Sequence, residues 1–361
     1  MKYIDEFRDK DLVRKLTAQI QKFSGREINL MEICGTHTMA IFRSGIKQLL
    51  PENINLISGP GCPVCVTSQS DIDRMLWLAG LKDAVITSFG DMLKVPGTVS
   101  SLEKERARGA DIRPVYSPAD ALDIARENKN KEIIFLAVGF ETTSPVIASV
   151  IDDARSQKIN NFSVYSCHKL IPPAMSALLS AEEIRIDGFL CPGHVSSIIG
   201  TRPYESICDK FKIPCVVSGF EPTDILETIL MLLEQIAGNR SRVEIQYKRA
   251  VHAGGNVPAQ EMLKKVFTGC EAQWRGLGMI PESGLSLGRG YEDFDAAKKF
   301  RIKKIKAAEP KNCSCGQVLR GVKTPAQCKL FGKACTPENP FGPCMVSSEG
   351  TCAAWYKYKQ F

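Results

Sequence analysis

The sequence predicts an α/β protein with parallel sheets, arranged as two similar units and followed by a cysteine-rich third unit. Three observations carry this. Seven short apolar runs each end in small or reactive residues. Helical patterns lie between those runs, and strands alternating with helices favour parallel sheets. After about residue 240, glycine, proline and cysteine take over, and the last 49 residues hold six of the 14 cysteines.

The elements follow in chain order. Residues 28–33 run into Cys34-Gly35-Thr36-His37, and residues 54–58 into Gly59-Pro60-Gly61-Cys62. Residues 71–81 place apolar side chains at 72, 75, 76 and 78–79, one face of a helix. Residues 84–88 lead to Phe89-Gly90-Asp91. Ser117-Pro118 opens a helix, with Asp120 near the capping-box position. Residues 133–138 lead to Gly139-Phe140-Glu141-Thr142-Thr143, and Ser144-Pro145 opens the helix at 146–155. Residues 162–166 reach Cys167-His168, residues 188–190 reach Cys191-Pro192-Gly193-His194, and residues 215–218 reach Gly219-Phe220-Glu221. A long apolar helix spans 223–236 and stops at Gly238. A strand is expected over 244–250 and a helix over 258–267. The segments 138–143 and 218–223 echo each other, as do 34–37 and 191–194, which suggests a duplication over roughly 25–120 and 121–235. In such sheets the ligand site lies beyond the carboxyl ends of the strands, where these cysteines and histidines fall.

Composition excludes several classes. Hydrophobic residues make up 44% and charged residues 24% of 361, so the chain is neither disordered nor fibrous. No run approaches the ~18 apolar residues of a membrane span, and residues 1–14 lack the apolar core of a secretion signal. A cytoplasmic location is expected. There, 14 cysteines point to metal, cluster or redox chemistry ahead of a disulfide framework. The net charge of +7 is modest. The basic run at 298–306 lacks a nucleic-acid motif and reads as a solvated face or a dock for an acidic partner. No phosphate-binding G-x-x-x-x-G-K-[ST] motif is present.

Five groups of residues can do chemistry. The C-terminal cysteines, Cys313, Cys315, Cys328, Cys335, Cys344 and Cys352, are loosely spaced. That pattern suits a [4Fe-4S] cluster, a structural zinc or scattered thiols. Cys62-Pro63-Val64-Cys65 reads as a redox dithiol or half of a split metal site. Cys34 at a strand end, with His37 three residues on, reads either as a reactive thiol or as a small buried hydrophobe. Its place beside the Cys62/Cys65 turn favours the first. His168 and His194 either line a cleft or are structural, the latter preferred. Glu141 either moves a proton or stabilises a helix N-terminus.

Taken together, these motifs resemble the HypD family of [NiFe]-hydrogenase maturation proteins. The matching pieces are CGTHTM (34–39), GPGCPVC (59–65), GFETT (139–143), CPGHVS (191–196) and FGPCMVSSEGTC (341–352), with C-x14-C-x6-C-x16-C on Cys313, Cys328, Cys335 and Cys352. The resemblance implies two Rossmann-like domains of related topology, 1–120 and 121–238, and a C-terminal [4Fe-4S] domain, 239–361. The four spaced cysteines would be cluster ligands, and Cys315 and Cys344 a nearby thiol or disulfide pair. It implies a scaffold rather than an enzyme, which assembles the Fe(CN)2CO group of the hydrogenase. Cys34 would hold that iron together with a cysteine of a HypC-type chaperone, beside the Cys62/Cys65 dithiol. Cyanide would arrive through a HypE-type donor. His37 would tune the Cys34 thiolate or donate a hydrogen bond to cyanide. A monomer in transient complexes is expected. The rival reading is an iron-sulfur thiol–disulfide oxidoreductase resembling ferredoxin–thioredoxin reductase, which has no need of Cys34.

Overall fold

The computed structural model describes residues 9–181, 183, 185–303, 305 and 307–358. Residues 1–8, and Lys304 and Lys306 of the basic run, lie outside the described residues.

Two parallel sheets organise the chain. Sheet 1 contains β1 (Ile28–Glu32), β2 (Ile54–Ser58), β7 (Gly188–Pro192), β8 (Cys215–Ser218) and β9 (Val243–Ile245), in the order β2-β1-β7-β8-β9. Sheet 2 contains β3 (Ala84–Ser88), β4 (Ile112–Pro114), β5 (Glu132–Ala137) and β6 (Phe162–Ser166), in the order β4-β3-β5-β6. Every pairing within the two sheets is parallel. Numbered by appearance within each sheet, both run second-first-third-fourth, with β9 added as a fifth strand in sheet 1. The related topology expected from sequence is therefore present, but the expected boundary at residue 120 is not. The chain leaves sheet 1 after β2, completes sheet 2, and returns at β7. The sequence echoes do not mark the duplication either. GFETT follows the third strand of sheet 2, whereas its echo follows β8, the fourth strand of sheet 1.

Local sequence explains the helix starts. Ser117 caps Pro118–Glu127 and Asp120 returns the bond, closing the expected capping box. Ser68 caps Gln69–Ala79, accepting from Asp71 N–H. Pro222–Ala237 ends at Gly238. The strand expected over 244–250 is shorter, because Tyr247 folds back to bond Val217.

Alternation sorts the cores. Ile133, Phe135 and Ala137 of β5 face the helices on the outside of sheet 2. Ile134, Leu136 and Val138 face a core shared with sheet 1 residues Met31, Phe189 and Cys191. The outer face of sheet 1 packs on Lys10–Ile20 and Pro222–Ala237. Unforeseen is an antiparallel hairpin, β10 (Phe267–Trp274) and β11 (Gly278–Leu287). Its turn uses Gly276 and Gly278 at φ +79° and +80°, values that favour glycine. The hairpin inserts Ala272, Trp274 and Ile280 into the shared core. Among the described residues no helix is long and apolar enough to cross a membrane.

Candidate functional site

In open sheets of this strand order, the crevice lies between the first and third strands, at their carboxyl ends. Here that means β1/β7 in sheet 1 and β3/β5 in sheet 2. The two crevices open onto one cavity of about 290 Å³. Cys34 and Thr36 come from the end of β1, Gly61 and Pro63 from β2, and Phe89 and Asp91 from β3. Gly139, Thr142 and Thr143 follow β5, Pro192 and His194 follow β7, and Ser347 and Glu349 come from the C-terminal unit.

Cys34 is the N-cap of Gly35–Arg43. The in-register pairing of β1 with β2, Glu32 opposite Ser58, sets it beside the Gly59-Pro60-Gly61-Cys62 turn. Gly35 N–H donates to Gly61 O at 2.8 Å. A side chain at Gly61 would collide with Cys34 backbone atoms, so glycine permits this approach. Burial pushes the Cys34 thiol up to about 12, with the Glu349 and Glu32 carboxylates adding to it. The backbone N–H groups of His37 and Thr36 pull the other way. Glu32 fixes the strand end, accepting from Cys34 N–H at 3.1 Å and from the Thr38 hydroxyl. Its own burial raises it to about 7, against the bonds it accepts.

Cys62 and Cys65 form a disulfide across the first turn of Pro63–Val66, with Cα atoms 5.2 Å apart. Cys65 Sγ lies 3.9 Å from the Pro343 carbonyl. Pro343 is the neighbour of Cys344, whose sulfur is 3.0 Å from that of Cys315. The two thiols share this one S–H···S contact, which lowers Cys315 and raises Cys344 well above an ordinary thiol. Arg275, buried at the hairpin turn, ties these parts together. It donates to Thr67 O at 3.1 Å, to Gln69 Oε1 at 2.9 Å and to the Glu309 carboxylate.

Cys313, Cys328, Cys335 and Cys352 lie near enough that the charge on one raises the thiols of others. Phe331 and Met345 are buried around them, with Phe341 and Trp355 partly so. Backbone N–H groups face the sulfurs. Phe341 N–H donates to Cys335 Sγ at 3.4 Å. At Cys328 burial acts upward, but N–H groups of Ser314, Leu330 and Phe331 outweigh it and lower the thiol. Among the described residues, no three His, Cys, Asp or Glu side chains converge on a single-ion site. Four thiols with N–H donors and an apolar shell match the donor set of an iron–sulfur cluster.

The histidines are placed unlike one another. His37 Nε2–H donates to Gly219 O at 2.9 Å, and the ring stacks on Phe220 at 4.7 Å. Burial lowers it to about 4, so it is neutral. The expected contact of its imidazole with Cys34 is replaced by one with the end of β8; what His37 offers Cys34 is its backbone N–H. His194 stacks on Phe220 at 4.0 Å and lines the cavity. His168 is buried against Phe267 and does not reach that cavity. Glu141 also points away from it. Its Oε1 accepts Ile171 N–H at 2.9 Å, at the start of Ile171–Ser180. Pro172 and Pro173 follow, so Ile171 offers the first free N–H of that helix, and Glu141 serves its N-terminus from another strand. Burial raises Glu141 to about 7.

Sequence reasoning passed over Asp91, Glu349 and Phe220. Asp91 sits at a recognised strand end, and Glu349 lies within FGPCMVSSEGTC. Thr36 donates to Glu349 at 2.7 Å, which closes the C-terminal unit over the helix behind Cys34.

Fold and site define the class: a two-sheet α/β thiol protein whose opposed strand-end crevices share one cysteine-bearing cavity, flanked by a cysteine-rich unit. The chain belongs to the HypD family, whose model, described as the hydrogenase formation hypA family, matches residues 10–359. It is 47% identical to the hydrogenase maturation factor HypD of Cupriavidus necator, over 100% of this chain and 98% of that one. It is 46% identical to HypD of Azotobacter vinelandii, over 99% and 97%. With HypD of Escherichia coli the identity is 43%, over 100% and 99%.

Proposed function

We propose that the chain is a hydrogenase maturation factor, the scaffold on which the Fe(CN)2CO group of a [NiFe] active site is assembled. The names of its relatives support the first part. The observation that carries the second is Cys34, set in the shared cavity beside the Cys62/Cys65 turn. The iron is cargo. It needs soft thiolate anchoring and open positions for diatomic ligands. Cys34 supplies one anchor and a cysteine of a HypC-type chaperone the other, while a HypE-type protein delivers cyanide. With its thiol pushed up to about 12, Cys34 is protonated until metal binding displaces the proton. The Thr36 and His37 N–H groups then stabilise the thiolate, and Glu32 keeps its backbone in place. Cys62 and Cys65, when reduced, provide a dithiol within the same turn.

Cys313, Cys328, Cys335 and Cys352 are the residues that would hold a [4Fe-4S] cluster, which supplies single electrons when bound. Cys315 and Cys344 stand between those four and Cys65. We place the protein in the cytoplasm, as a monomer in transient complexes and without turnover of its own.

The test is infrared spectroscopy of the anaerobic protein copurified with its chaperone under maturing conditions. Bands of iron-bound cyanide and CO that vanish in Cys34→Ala support the scaffold. Their absence from the wild-type complex refutes it. Iron and acid-labile sulfide, about four of each per chain and lost in Cys328→Ala, check the cluster. The second reading, a thiol–disulfide oxidoreductase, is favoured by the packing of Cys65 on Pro343 next to Cys344. It requires disulfide reduction to survive Cys34→Ala unchanged.

A further inference from the structure

A second cavity, of about 690 Å³, lies beyond the end of β6, between the helix Gln69–Ala79 and the hairpin. Lys169 lines it and is only 3% exposed. Its one ion-pair partner among the described residues is Asp71, at 3.7 Å, too far for a hydrogen bond. Asp71 is already in use. It accepts from the Tyr165 hydroxyl at 3.0 Å and the Ser68 hydroxyl at 2.8 Å, and pairs with Arg74 at 3.4 Å. Arg74 also lines the cavity, and its Nε has no partner. The neighbouring His168 ring is neutral, lowered to about 3 by burial and by Lys169. Of the other acids on the lining, Asp295 caps its own helix through Ala297 and Lys298 N–H, and Glu271 is exposed at the rim.

Two cations therefore share one carboxylate. Arg74 Nε is buried without an acceptor, which is costly, and Lys169 has no acceptor within hydrogen-bond distance. We propose that this cavity is a binding site for a small organic oxyanion, a carboxylate or a phosphate, held between Lys169 and Arg74. Both cations donate, and charge-assisted bonds to an oxyanion are the strong kind. The volume fits a small-molecule ligand rather than a bare ion, and Leu285, Leu287 and Met279 give it an apolar wall. The site is separate from the Cys34 cavity, and the inference does not depend on the maturation reading.

The experiment is isothermal titration of the full chain with inorganic phosphate and, separately, with malonate at constant ionic strength. Saturable binding of one probe and not the other identifies the anion class; binding of both assigns a general oxyanion site. Arg74→Gln and Lys169→Met each weaken binding by about tenfold or more. Both changes remove a cation facing the largely buried Asp71, so thermal melts first establish that each variant is folded, and affinities are compared between folded proteins. Asp71→Asn removes the competing carboxylate and tightens binding, a change that a purely structural cation pair does not predict. Absence of saturable binding of either probe to wild type, or equal affinity in wild type, Arg74→Gln and Lys169→Met, overturns the proposal.

Discussion

Replacing Gly61 by alanine tests how the site is built. A Cβ at this position meets Cys34 Cα at 2.5 Å and the Ile33 carbonyl carbon at 2.6 Å, both backbone atoms that no rotamer change can clear. Ordinary contact begins near ~3.5 Å, so the two strand ends must part by about 1 Å. The Gly35 N–H bond to Gly61 O, now 2.8 Å, is then stretched beyond hydrogen-bond range. Losing it costs about 1 kcal/mol, and the overpacking adds about 1–3 kcal/mol. The sum is about 2–4 kcal/mol. At about 2 °C per kcal/mol for a chain of this size, Tm falls by about 4–8 °C. Gly90→Ala, between the cavity residues Phe89 and Asp91, is the control. Its Cβ meets nothing within 4 Å, so Tm should move by about 1 °C at most. Function should fall further than stability, because a misplacement of about 1 Å at reacting groups costs on the order of 100-fold. The assays are calorimetric melting and the yield of infrared bands from iron-bound cyanide and CO. A Gly61→Ala protein that melts within about 1 °C of wild type and matches its yield would refute the reasoning.

Four further outcomes are expected. Glu141, raised to about 7, keeps its proton in the folded chain while the unfolded chain releases it above 4.5. The stability it contributes is present below pH 4.5 and lost as the pH rises to about 7, on the order of 3 kcal/mol. The difference in melting temperature between pH 5 and pH 8 should therefore shift between wild type and Glu141→Gln in that direction. His37 has the opposite sign. Lowered from 6.5 to about 4, it resists protonation while the unfolded chain takes the proton, so its stability is lost as pH falls from 6.5 to 4. His37→Gln should remove that acid sensitivity in melts between pH 4 and 7. Arg275→Met strands the buried Thr67 carbonyl and Gln69 side chain, costing about 2–4 kcal/mol in thermal denaturation. Glu309→Gln, at a residue whose side chain is 58% exposed, should cost under about 1 kcal/mol.

The strand ends were legible because short apolar runs stop at glycine and cysteine, and a parallel sheet puts such ends on one edge. That logic also paired Cys34 with the Cys62 turn. The partition into sheets was not legible, since β-strand pairing is a long-range choice that apolar runs do not encode. Beside β2, the second partner of β1 could have been any later strand, and it is β7. Short echoes misled for the same reason: GFETT and its counterpart report similar strand-to-helix turns, not equivalent strands. The hairpin was hidden by its composition, because Gly, Pro and Glu interrupt the alternation of 278–287. The direction of the His37 ring depends on Phe220 and Gly219, 182 residues from it in the case of the Gly219 bond. A motif of three residues holds no information about that distance.

The placement of sheet 2 within sheet 1 has a kinetic consequence. Asn29 and Asp187 bond across 158 residues, and β1 pairs with β7 at the same range. During synthesis β1 and β2 leave the ribosome long before β7 exists. Closing such a loop costs entropy before any contact repays it, and long-range parallel pairing is slow. The inserted strands β3 to β6 are contiguous and can condense first, bringing residues 58 and 188 together and shortening the effective loop for the outer sheet. Folding is then nested. The cavity at Cys34 is complete only once the inner unit, the returning strands and Ser347 and Glu349 of the C-terminal unit have all arrived. A nascent chain thus cannot present the finished Cys34 cavity before the rest of the protein is in place.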